Sequence, residues 1–161
     1  MATSTVTSAP GADAKAVAWM DGLCGAVHGY RLAVNEDAKK RPKSEVATAK
    51  TIGESLGRYA ELAGKAVEEL NAIGASAVPV GESARKSFVD KFTAARDAAA
   101  NGKAKLEAAK AGDSKALDAA IEAMNAAQNA VMEAVDPVSP IAGSPELMAA
   151  AASAPKCKPT S

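Results

Sequence analysis

Between Ala16 and Val34 the chain reads AVAWMDGLCGAVHGYRLAV, and its apolar residues recur in steps of four and three: Ala16, Met20, Leu23, Val27, Tyr30 and Val34. That spacing places them on one face of an amphipathic helix. The same stretch holds the only Trp (Trp19), the only His (His28), one of two Cys (Cys24) and one of two Tyr (Tyr30). Gly22, Gly25 and Gly29 lie within it. Each costs about 1 kcal/mol against Ala in a helix interior, so three together point to close backbone approach or to a local break. Asp13 is placed to cap the helix after the Pro10–Gly11 breaker, and Pro42 ends it, because the residue before a proline avoids the α region.

The rest of the chain repeats that period. A second helix is expected over 44–73, with a stripe of Ile52, Leu56, Tyr59, Ala63, Ala66, Leu70 and Ile73, closed by Gly74. Residues 75–80, ASAVPV, read as a turn. A third helix is expected from Glu82 or Ser83, carrying Phe88, Phe92, Ala95, Ala99, Leu106 and Ala109. Asn101–Gly102 falls in its middle, and the favoured reading is one continuous helix. Gly112 ends it and Asp113 or Ser114 caps a fourth, striped by Leu117, Ile121, Met124, Val131 and Val135. Gln128 falls on that stripe, so it either needs a buried partner or the seam rotates onto Ala127. Ser144–Pro145 starts a short last helix before the tail PKCKPTS. No alternating Val/Ile/Thr run signals a strand.

The expected fold class is therefore all-α: an up-down antiparallel bundle of four main helices with a short C-terminal helix, since short connections make consecutive helices antiparallel neighbours. The expected organisation is a disordered tail over 1–12, a bundle over 13–154, and a C-terminal tail over 155–161 tied back to it. A chain of 161 residues suits a single domain. Aromatics are only 3% of it, so the core must come largely from Ala, Leu, Val and Ile, a mixture that favours close helix packing.

Charge narrows the partners. Lys plus Arg and Asp plus Glu are 19 each, for a formal net charge of zero, which speaks against nucleic acid. The one basic cluster, Lys39, Lys40, Arg41 and Lys43, reads as a solvated helix end where the macrodipole favours cations. No run approaches the ~18 apolar residues of a membrane span. The polar segment ATSTVTSAPGAD fits a disordered N-terminus or the linker after a removed export signal, and a lipid anchor in a precursor is compatible with the second.

Cys24 lies in the first helix and Cys157 just past the last. Their separation, and a C-terminal tail that must pack somewhere, point to a disulfide joining the two, and hence to an oxidising compartment. The alternative is a pair of unrelated thiols, with a cytoplasmic address. Cys24 and His28 are i and i+4, a usable spacing for two metal ligands, and His28 with one of Met20, Met124 or Met132 is a conceivable haem pair. Nothing else is Cys or His apart from Cys157, so neither set is complete. No GxSxG, HExxH, P-loop or GxGxxG occurs, no catalytic residue is assigned, and no cofactor is expected.

The Ser/Thr/Ala/Pro lead, AVAWMDGLC, FVDKFTAARDAAANGKAKLEAA and SPELMAAAASAPKCK together resemble the alanine-rich small secreted proteins and lipoproteins of actinobacteria. The resemblance implies an address more than an activity. The expected function is a non-enzymatic, extracytoplasmic bundle that binds a partner or supports the cell envelope, with Trp19, Tyr30 and the glycine face of the first helix as contact residues, although Trp19 reads equally as a core anchor. The alternatives are a carrier of a small apolar ligand, and a metal- or haem-binding bundle using Cys24 and His28.

Overall fold

The structure, a computed structural model, describes residues 13–43 and 48–158. Five helices follow in order: α1 (Ala14–Lys40), α2 (Ala49–Ala72), α3 (Pro79–Ala108), α4 (Ser114–Met132) and α5 (Pro145–Ser153). Two 3-10 turns, Ser139–Ile141 and Pro155–Cys157, flank α5. No strand occurs among the described residues. The fold is an all-α bundle in which α2 packs on α3, α3 on α4 and α1 on α2. The flank of α1 away from α4 takes α5 and the last 3-10 turn. The expected tail over 1–12 lies outside the described residues, as do 159–161.

Local chemistry explains most boundaries. Asp13 occupies the N-cap of α1, though its side chain makes no capping bond; its carbonyl accepts from Val17 N at 2.9 Å. The far end carries Lys39 and Lys40 in the last turn, as the solvated-end reading expects, with Lys39 Nζ 2.9 Å from Glu36. The start expected for α2 at Ser44 lies outside the described residues. Its helix begins at Ala49, where Thr48 Oγ1 accepts from Thr51 N and Thr51 Oγ1 accepts from Thr48 N, a reciprocal capping box. Helix α3 starts earlier than expected, because Pro79 is its first residue and not a turn residue. The fixed φ of proline suits that position. Asp113 caps α4 through bonds from Lys115 N and Ala116 N, and Ser144 caps α5 through Leu147 N.

The core runs along the middle of the bundle. Met20, Leu23 and Val27 from α1, Leu56 and Leu70 from α2, and Phe88 and Phe92 from α3 are all buried. Ile141 and Leu147 close it from the C-terminal side. Tyr30 meets Phe92 edge-to-face, with centroids 4.9 Å apart. The loop after α2 is pinned from three directions. Trp19 Nε1 donates to Gly74 O at 3.0 Å, Ser76 N donates to Glu82 Oε2 at 3.0 Å, and Arg85 clasps the same Glu82 carboxylate. The Arg85 guanidinium, and then the Ser76 amide, hold the Glu82 carboxyl down at about 2.

The seam of α4 differs from the expected stripe. Ala120, Ala127 and Val131 face inward, while Ile121 is exposed at 37%; α4 ends at Met132, earlier than expected, so Val135, exposed at 45%, lies in the turn beyond it. Gln128 is exposed and donates to Tyr59 Oη at 3.0 Å, so the seam does rotate onto Ala127. The cause is close approach: a Cβ built on buried Gly102 would overlap Ala123 Cβ. The Asn101–Gly102 pair is therefore a contact point between α3 and α4, and α3 runs through it unbroken. Large side chains cannot fit between backbones this close, so alanines take the seam and Ile121 moves to its edge.

The glycines of α1 divide the same way. A Cβ on Gly22 would overlap Ile73 of the α2 end, and one on Gly25 would lie 2.9 Å from Lys156 Cδ. A Cβ on Gly29 would meet nothing within 4 Å. Gly102→Ala is expected to destabilise the fold by about 1–3 kcal/mol, since Ala123 Cβ cannot rotate away. Gly29→Ala is expected to stabilise it by about 0.5–1 kcal/mol through helix propensity alone. Urea denaturation of both variants checks the two signs.

Candidate functional site

Four residues on three successive turns of α1, Asp21, Cys24, Gly25 and His28, all engage the C-terminal tail. Cys24 and Cys157 form a disulfide across 133 residues of chain, with Cα atoms 5.0 Å apart, well inside the usual range. Lys156 N donates to Asp21 Oδ1 at 2.8 Å. His28 Nδ1 lies 2.8 Å from Lys156 O. A carbonyl oxygen can only accept, so Nδ1 carries the proton. The Lys156 backbone is thus gripped on both sides, and its side chain crosses α1 at Gly25, where any larger residue would collide with it.

That crossing forms one end of a groove of about 530 Å³ between α1 and the last turns of α2. Its floor is Gly22, Gly25, Ala26 and Gly29, and its walls include Leu32, Ala72 and Ile73. His28, Glu69 and Lys156 supply the polar rim. A smaller cavity of about 90 Å³ continues along the same two helices, from Gly25 and Gly29 to Tyr30, Ala33, Leu62 and Ala66. The glycine face expected to make contacts is thus open at Gly29 and bordered by carbon on both sides.

The named candidates separate. Trp19 is buried, at 8% exposure, and belongs to the core. Its indole serves as an anchor for the α2–α3 loop, because a buried Trp must place its N–H on an acceptor and Gly74 O provides one. Of the two readings of Trp19, its burial fits the core anchor. Tyr30 is half-buried and borders the smaller cavity. The pairing of Cys24 with His28 as metal ligands is also corrected: the Cys24 sulfur is bound to Cys157, so no thiolate stands beside His28 in the oxidised protein. The paired haem reading loses one Met, since Met20 is wholly buried in the core. Among the described residues no group of three or more His, Cys, Asp or Glu is placed to hold a metal ion.

Lys156, Ile73 and Leu32 escape a reading of the sequence. Lys156 sits in a short polar tail, and only its seat across Gly25 makes it part of a wall. The available signal was its position next to Cys157: fixing a cysteine by a disulfide also fixes its neighbours.

Burial, and then the neighbouring Tyr59, push the Tyr30 hydroxyl up to about 12. The folded state therefore holds this proton more tightly than the unfolded chain, whose tyrosines titrate near pH 10. The associated stability is complete below about pH 10 and is lost as pH rises through about 12. Alkaline titration followed by phenolate absorbance is expected to show a step near pH 12 that disappears in Tyr30→Phe. No protein-family model, curated protein or solved structure matches this chain.

Proposed function

We propose that this protein is a non-enzymatic binding protein acting outside the cytoplasm, at the cell envelope, and that the α1–α2 groove is its binding surface. The groove itself carries the reading. At about 530 Å³ and lined largely by carbon, it falls in the size and polarity range of small-molecule sites. The first alternative, a carrier of a small apolar ligand, is favoured over a purely structural role by the same observation. A structural bundle has no need of a glycine whose Cβ position opens into free space, yet Gly29 keeps its helix cost without relieving any clash.

Two observations support the address. The intramolecular disulfide suits an oxidising compartment. Among the described residues no helix is long and apolar enough to cross a membrane, which suits a protein that is exported or tethered from outside its folded body. The resemblance to small secreted proteins and lipoproteins of actinobacteria points the same way.

The test is binding of the uncharged fluorophore N-phenyl-1-naphthylamine. The wild-type protein is expected to give saturable enhancement at one site. Gly29→Phe, which fills the groove from its floor, is expected to weaken binding at least tenfold while leaving the helical circular dichroism unchanged. No enhancement, or equal enhancement in Gly29→Phe, would exclude the groove as the site.

A further inference from the structure

The groove carries a charge at one end, on an exposed side chain whose backbone is held in place. Lys156 is seated by the bond from its own N–H to Asp21, by the bond its carbonyl accepts from His28, and by the disulfide of the next residue. Its aliphatic stem lies across Gly25, with Nζ 3.6 Å from where a Cβ of that residue would stand. Among the described residues no carboxylate lies within ion-pair distance of Lys156 Nζ. Glu69, on the opposite wall, lies 3.9 Å from Lys65 Nζ, and the Asp21 carboxylate is engaged by the Lys156 amide. A tail latch accounts for the disulfide and the two backbone bonds. The Lys156 side chain is exposed, and its ammonium stands at the mouth of a carbon-lined groove where an anionic head could meet it.

We infer that the groove takes a single-chain amphiphile with a carboxylate head, a long-chain fatty acid, and that Lys156 Nζ holds the head. This deepens the binding reading above and rests on it. The alkyl chain lies on Ala26 and Gly29 between Leu32 and Ile73, where apolar surface on both sides removes it from water. From Gly25, where the Lys156 stem crosses, to Leu32 the floor spans seven residues of helix, about 10 Å. An extended chain with C–C bonds of about 1.5 Å covers that length with roughly eight carbons, and a longer chain runs on along the smaller cavity beside Tyr30 and Ala33. The head gains a charge-assisted hydrogen bond from a side chain whose backbone is already seated. Glu69 sets the sense of selection: a cationic head would meet Lys156, and an anionic head placed on Lys156 stays clear of the wall where Lys65 screens Glu69.

The experiment displaces N-phenyl-1-naphthylamine from the oxidised, full-length protein with dodecanoate, dodecan-1-ol and dodecyltrimethylammonium, which share a chain and differ in the head. Dodecanoate is expected to bind about three- to tenfold more tightly than the alcohol, the range of a partly exposed ion pair. Lys156→Gln, which keeps the stem and removes the charge, is expected to bring dodecanoate to the affinity of the alcohol and leave the alcohol unchanged. Equal binding of the three in the wild type, or equal weakening of acid and alcohol by Lys156→Gln, would overturn the carboxylate assignment while leaving the groove intact. Failure of all three to displace the probe, together with undiminished probe binding in Gly29→Phe, would instead overturn the groove reading beneath it.

Discussion

One face of α1 is committed to the end of the chain. The bond between Cys24 and Cys157 closes a loop of 133 residues, and in the chain-entropy model such a closure contributes about 5 kcal/mol by restricting the unfolded state. Its local effect matters as much. The bond fixes the turn Pro155–Cys157 against the helix, Asp21 and His28 hold the backbone of Lys156 on either side, and buried Ala154 seats the segment that precedes it. With the tail in place, α5 packs on α1 and the groove between α1 and α2 acquires its end wall. Without it, Gly25 would have no stem lying over it and the groove would open along its length.

Small residues then decide how near the helices come. Gly102 admits Ala123, Gly22 admits Ile73 and Gly25 admits Lys156. In each case the absent Cβ is replaced by an atom from another element, so the helical cost of glycine is offset by close contact. Gly29 is the exception, because nothing occupies the space above it. Three glycines on one helix face thus perform two tasks: two bring other parts of the chain close, and one leaves room.

The period of the apolar residues made the helices legible, and cap chemistry fixed several of their ends: Pro42 after α1, Asp113 before α4, Ser144–Pro145 before α5. The disulfide was legible too, because only two cysteines exist and one lies on a tail that must pack. What escaped was tertiary. The seam of α4 followed Ala120 and Ala127 in place of the larger Ile121, since close approach selects for small side chains and hydropathy alone ranks them low. Pro79 read as a turn residue because proline breaks a helix everywhere except at its first turn. Trp19 carried the same apolar signature as a contact residue and as an anchor; only the position of Gly74 O distinguished the two. Lys156 could not be assigned to a wall before its backbone was placed across Gly25.

The central claim is that the C-terminal tail is covalently seated on α1, and that the groove is built from that seating. Intact mass after alkylation under native-purified, non-reducing conditions with denaturant tests it most directly. The account predicts no alkyl label on the unreduced chain and two labels after reduction, with a peptide joining Cys24 to Cys157 in the unreduced digest. Two labels before reduction would contradict it, freeing Lys156 from its place and removing the end wall of the groove.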